Sequence, residues 1–262
     1  MTAQAPDWGG IERGAGRPLV LLHGLGMTHA AWAPVMEALA RHRRVLALDV
    51  PGFGTTPMLP DQTPTLEALA TALQHELDRR GIAGPVDVAG NSMGGGIALA
   101  LALQGGARSV AAISPAGLWP VDSPWHTRPV LRTLRFALRK GSSLADYLLR
   151  FGLARRLMLA VPMSVRGDRI PADVARAQAH HLATAPGVIP TLEAIGPLAH
   201  PERLNVPCSI AFGRRDWLLT RGAQRRDRVP ASVKWSHPAG WGHVPMWDDP
   251  AGVATWILDA TA

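Results

Sequence analysis

The stretch VDVAGNSMGGG, Val86 to Gly96, sets Ser92 between Gly90 and Gly94 and runs on into the small, apolar sequence IALALAL. A strand-like run, a tight turn and a helix in that order present a hydroxyl at the end of a sheet, and the flanking glycines let backbone segments close on one another where a Cβ would collide. A serine hydroxyl is a weak nucleophile until a base takes its proton. His243, in GWGHVPMWDDP, follows the last strand-like run and is the candidate base. Asp216, in FGRRD directly after the preceding strand-like run, is the candidate partner for the other imidazole nitrogen, with Asp122 in GLWPVDSP as the reserve acid. Attack on a carbonyl creates an oxyanion that needs two N–H donors. The backbone amides of Met93, at the helix start, and of Leu25, in HGLG, are the candidates.

Other conspicuous residues have plainer readings. His23 and Asp49, in HGLG and DVPGFG, are expected to brace their loops. His180 and His181 are adjacent and lack the i,i+4 relation of paired metal ligands on a helix, so no metal site is expected. Gly94 and Gly96 open a GxGxxG pattern, but Leu99 stands where its last glycine belongs, which argues against a dinucleotide cofactor. Arg132, Arg135 and Arg139 recur at helical spacing, either as a solvated face or as an electropositive entrance for anionic substrates. Trp119, Trp125, Met158, Leu159, Met163, Trp217 and Val244 are expected as pocket lining or core.

These residues need elements to hold them. PLVLLHG, RVLALDVPG, PVDVAG and RSVAAISPAG are strand-like runs ending in glycine-rich turns, and the segments between them have helical periodicity. Crossovers of that length predict a parallel sheet with helices on both faces. From Pro120 to Pro201 the strands give way to three or four helical pieces. Alternation then resumes with VPCSIAFGRRD, SVKWSHPAG and a closing helix near Ala251 to Leu258. A helical insert over the carboxyl edge of one sheet accounts for this order.

Composition narrows the function. The 262 residues carry a formal charge of +7, and between Arg128 and Arg176 eleven Lys or Arg stand against three Asp. Neither a zinc-ligand pattern nor an aromatic RNA-binding motif accompanies the charge, so nucleic acid is not an expected partner. No stretch approaches the length of a membrane span, and the opening lacks the charged-then-apolar pattern of a signal peptide. The single cysteine, Cys208, lies in VPCSIAF and reads as a buried strand thiol; with no internal disulfide available, a cytoplasmic location is expected.

HGLG at His23 to Gly26, DVPGFG at Asp49 to Gly54, GNSMGG at Gly90 to Gly95, GRRD at Gly213 to Asp216 and GHVPMWDDP at Gly242 to Pro250 together resemble the α/β-hydrolase superfamily, specifically its capped, serine-nucleophile members. The order Ser92, Asp216, His243 is that superfamily's order. The resemblance implies an α/β-hydrolase fold: a mostly parallel central sheet flanked by helices, with a helical cap inserted after the sixth core strand. It divides the chain into core (1–119), cap (120–201) and core (202–262), and implies a Ser-His-Asp triad with no cofactor. A serine at position 92 argues against the epoxide hydrolases and haloalkane dehalogenases, which use aspartate there. Cleavage of a small ester or lactone is the leading expectation. Asn91 matches the elbow of carbon–carbon hydrolases acting on ring-fission dienones, whereas Val244 stands where those tend to carry Trp. Acyl transfer, haloperoxidase-like activity and a non-enzymatic receptor are the remaining alternatives.

Overall fold

The protein is described by a computed structural model covering residues 7–119, 126–160 and 163–262. Among these residues seven strands, β1 (Gly10–Arg13), β2 (Pro18–Leu22), β3 (Arg44–Leu48), β4 (Val86–Asn91), β5 (Ala107–Ile113), β6 (Cys208–Ala211) and β7 (Lys234–Ser236), form one sheet in the order β1-β3-β2-β4-β5-β6-β7. Neighbours run parallel except β1, which is antiparallel to β3. The central strands are apolar without alternation because both faces are covered. Val20 and Leu22 of β2 point into one core with α2 (Leu66–Arg79) and α3 (Met93–Leu103), while Leu19 and Leu21 point into a second. That second core is packed by α1 (Ala33–Ala40) and the last helix (Pro250–Ala260). Each fully buried leucine contributes about 1.5–3 kcal/mol, so the sheet is a rigid base for whatever its carboxyl edge carries.

β1 leaves no mark on the sequence pattern. Its four residues, GIER, are all exposed at the sheet edge, so no burial pattern marks them. Only the backbone betrays it: Gly10 has φ +136°, and a Cβ there would lie 2.2 Å from the Ala47 carbonyl oxygen.

Among the described residues between β5 and β6 come five helices rather than three or four: α4 (Thr127–Lys140), α5 (Ser142–Leu148), α6 (Gly152–Leu159), α7 (Ala172–Thr184) and α8 (Val188–Ala194); the helix at Pro250–Ala260 is therefore α9. Gly141 separates α4 from α5, and Phe151, extended at φ −95° and ψ 129°, separates α5 from α6. Among the described residues the insert follows β5 and precedes β6. It is tied down at its base. Arg228 donates to the carbonyls of Gly117 and Trp119, before the insert, and of Leu198 near its end. Gly187 N–H donates to the Gly52 carbonyl at 3.0 Å, and Gly54 N–H to His181 Nε2 at 2.8 Å. Asp122 and Trp125 lie outside the described residues.

Candidate active site

Ser92 follows β4 and caps α3 with φ 55° and ψ −116°, a conformation that costs a non-glycine residue about 1–3 kcal/mol. The turn closes because its neighbours have no side chain. A Cβ on Gly90 would lie 2.1 Å from the Gly94 carbonyl oxygen, and one on Gly94 would lie 2.1 Å from that of Leu22. Met93 is the first residue of α3, so its N–H has no partner within the helix. Its side chain is buried in the core. Leu25 lines the same cavity as Ser92.

Asp216 and His243 approach from two later loops, after β6 and β7. The His243 Nδ1 is 2.9 Å from Asp216 Oδ2, with both side chains almost wholly buried. Asp216 Oδ1 accepts from the amides of Leu218 and Leu219 at 3.0 and 2.8 Å, which fixes the carboxylate plane. Burial alone would raise this carboxyl's pKa; the charge and hydrogen bond of His243, with the Leu219 amide, outweigh it and hold the group below the usual carboxylate range. An ionised Asp216 accepts a hydrogen bond from Nδ1–H, which keeps the proton on Nδ1 and leaves Nε2 as the open acceptor. Ser92 and His243 both line the cavity. Asn91 ties their loops together, its Nδ2 donating to the His243 carbonyl at 2.8 Å and to that of Ile113 at 3.3 Å.

The other histidine near the turn has a different environment. His23 Nε2 accepts from Val50 N–H at 3.0 Å, which requires Nδ1 to carry the proton it donates to the Gly24 carbonyl at 2.8 Å. Complete burial, opposed by that hydrogen bond and by Asp49, lowers its pKa to about 4. Folding therefore favours neutral His23. Its contribution is fully present above the unfolded value of 6.5 and is lost as pH falls towards about 4, a change of roughly 3 kcal/mol. Urea midpoints measured across that window are expected to fall with acidity in the wild type and much less in His23→Gln. Equal slopes would remove this assignment. Asp49 also braces: Oδ1 accepts from the backbone and the ring of His29 at 2.7 and 2.9 Å, and Oδ2 from Thr55 N–H.

Above Ser92 the cavity is walled by Leu131, Leu134, Leu138, Met158, Leu159 and their apolar neighbours, and it holds about 100 Å³. Small-molecule pockets commonly run from roughly 300 Å³ upward, so this space is small for a ligand. Met163 and Val244 line it too, whereas Trp119 belongs to the core and Trp217 is 62% exposed and away from it. No Lys or Arg lines it among the described residues. Arg135 instead donates to the carbonyls of Leu182 and Ala185, Arg132 pairs with Glu193, and Arg139 lines a separate depression. His180 borders that depression as well, and no metal-ligating cluster exists among the described residues. Cys208 is buried in β6, which pushes its thiol up to about 12.

Three residues with a part in the site carried no such sign in the sequence. The place of Asn91 in the elbow motif says nothing of its role as a tether. Asp248 accepts from Gly242 N–H and Arg166 N–H, both at 2.8 Å, and from the Ser164 hydroxyl, stitching the His243 loop to the insert. Gln178, on α7, brings to the cavity wall a buried carbonyl oxygen that has no hydrogen-bond partner among the described residues. The partners of the first two lie between 82 and 152 residues away in sequence, apart from Gly242 and Ile113, so local pattern could not reveal them.

Comparison with known proteins bears on this arrangement. A family model described as the alpha/beta hydrolase family matches residues 19–256. The 2-hydroxy-6-oxo-2,4-heptadienoate hydrolase of Pseudomonas putida is 42% identical over 111 residues, 37% of this chain and 37% of that one. A pimeloyl-[acyl-carrier protein] methyl ester esterase of Nitrosomonas europaea is 28% identical over 218 residues, covering 80% and 81%. The chain spans about a third of the length of the more identical curated relatives it matches, 31% and 37% for two of them. In fold it is similar to the solved structure of a thermophilic esterase from Thermogutta terrifontis, with TM-score 0.75 and 22% identity over 100% of this chain and 97% of that one.

Proposed function

Because the chain belongs to the alpha/beta hydrolase family, we propose that it is a serine hydrolase that opens a carboxylic ester, or the internal ester of a lactone, through an acyl-enzyme. The observation that carries this reading is the buried Asp216–His243 hydrogen bond beside a strained Ser92 in one cavity. Helices α4–α8 serve as a cap over it.

His243 Nε2 takes the Ser92 proton as Oγ attacks the carbonyl carbon, and the oxyanion rests on the Leu25 and Met93 amides. The imidazolium, steadied by Asp216, then gives that proton to the departing alcohol. Water enters, loses a proton to the same Nε2, attacks the acyl carbon, and releases the acid as Ser92 recovers its hydrogen. Positioning and oxyanion stabilisation supply most of the barrier reduction, each amide donor being worth about 3 kcal/mol.

Substrate choice follows from the wall. A cavity lined by leucine and methionine with no cation suits an uncharged, apolar acyl or alcohol group. Carbon–carbon cleavage of a dienoate would use the same nucleophile and base, and Asn91 in the elbow favours it; a dienoate would bring a carboxylate into a space with no counter-charge. Ester hydrolysis therefore ranks first.

A fluorophosphonate and a set of p-nitrophenyl esters test the reading. One covalent adduct on Ser92, with turnover lost in step with labelling, is expected. A protein that neither reacts with the phosphonate nor releases p-nitrophenol would be a binding protein on this fold.

A further inference from the structure

Large apolar side chains are exposed at ten positions among the described residues, and eight of them fall between Val130 and Met158. Phe136 on α4 is 64% exposed, and the corner from α5 to α6 presents Leu144, Tyr147, Phe151, Leu153 and Leu157 at 51–71%. The Tyr147 and Phe151 rings meet edge to face with centroids 5.4 Å apart, so part of this run is one continuous surface. Interleaved with it are Arg139, Lys140, Arg150 and Arg156, none of which makes an ion pair among the described residues. The sequence from Arg128 to Arg176 carries a surplus of eight positive charges.

We propose that this face of α4–α6 docks the protein reversibly on an anionic lipid surface. Protruding leucine and aromatic tips among unpaired cations match the chemistry of an acyl layer beneath acidic headgroups. A second copy fits poorly, since pairing two such faces would oppose cation to cation. No helix is long and apolar enough to cross a membrane, so the contact lies on the surface. The site stands to gain from it. Met158 is both 37% exposed and part of the cavity wall, one residue from Leu157, so the docking face and the cavity share α6.

Vesicle sedimentation of the full chain tests the proposal, with phosphatidylcholine alone compared with its mixture with phosphatidylglycerol. Binding is expected to the anionic vesicles only, to weaken with added salt, and to drop by roughly tenfold or more in the triple variant Phe151→Ser, Leu153→Ser, Leu157→Ser and in Arg150→Glu, Arg156→Glu. None of these five residues lines the cavity, so turnover of a water-soluble ester is expected to persist in both variants. Ser92→Ala is expected to bind vesicles like the wild type, which separates this surface from the serine chemistry. No sedimentation with anionic vesicles, binding that ignores both variants, or a dimer that the triple variant breaks without any vesicle binding would each overturn it.

Discussion

Replacing Ser92 with alanine is expected to lower kcat for p-nitrophenyl esters by roughly 10⁵ to 10⁶-fold, leaving the small rate that the oxyanion amides and the binding surface give to water. The change deletes one oxygen. That hydroxyl makes no hydrogen bond among the described residues, while the Ser92 backbone keeps its own: N–H to Ile113, carbonyl from Gly96 and Ala116. Thermal stability should therefore stay close to that of the wild type. Glycine at the same position should lose as much activity yet unfold about 1 kcal/mol later, because it occupies φ 55° without strain. A loss of less than about a hundredfold in either variant would mean that the attacking atom is not Ser92 Oγ.

Asp216→Asn is expected to cost about 10⁴-fold in kcat without unfolding the site. The reason is local. Two backbone donors, Leu218 and Leu219, hold the Oδ1 position, so an asparagine keeps its oxygen there and turns its NH₂ towards His243 Nδ1. A donor at that place forces the ring proton onto Nε2, where it faces the serine and cannot accept. Asp216→Ala would add the loss of both amide contacts and should also lower stability. Steady-state kinetics with Asp122→Asn alongside decides between the two acids: a large loss in the Asp122 variant and a small one in Asp216→Asn would reassign the role.

The sheet and its order of elements were legible because buried parallel strands are short apolar runs ending in glycine turns, as at Leu19 to Gly24 and Val86 to Gly90. Ser92 was legible for the same reason; its turn tolerates so few residue types that GNSMG announces the geometry. β1 was not, since an exposed edge strand of four residues leaves no apolar trace. The spacing of Arg132 and Arg135 left a solvated face and an electropositive entrance both open, because it puts them on one face but says nothing of the glutamate and carbonyls that occupy them. Trp217 follows Asp216 directly and yet faces solvent, because the Leu218 and Leu219 amides turn inward to the carboxylate. Contacts such as Asn91 to His243 span 152 residues and exist only once the fold has formed.

The placement of β5 beside β6 has a consequence for the growing chain on the ribosome. Val110 to Ile113 pair with Cys208 to Ala211, so one flank of β5 has no hydrogen-bond partner until more than ninety further residues have been translated. Until then the nascent protein exposes an open, sticky strand margin of the kind that recruits a neighbouring polypeptide. Synthesis stalled anywhere within the insert therefore yields a product prone to clumping, and slow codons there should lower the soluble yield of a gene whose finished protein is sound.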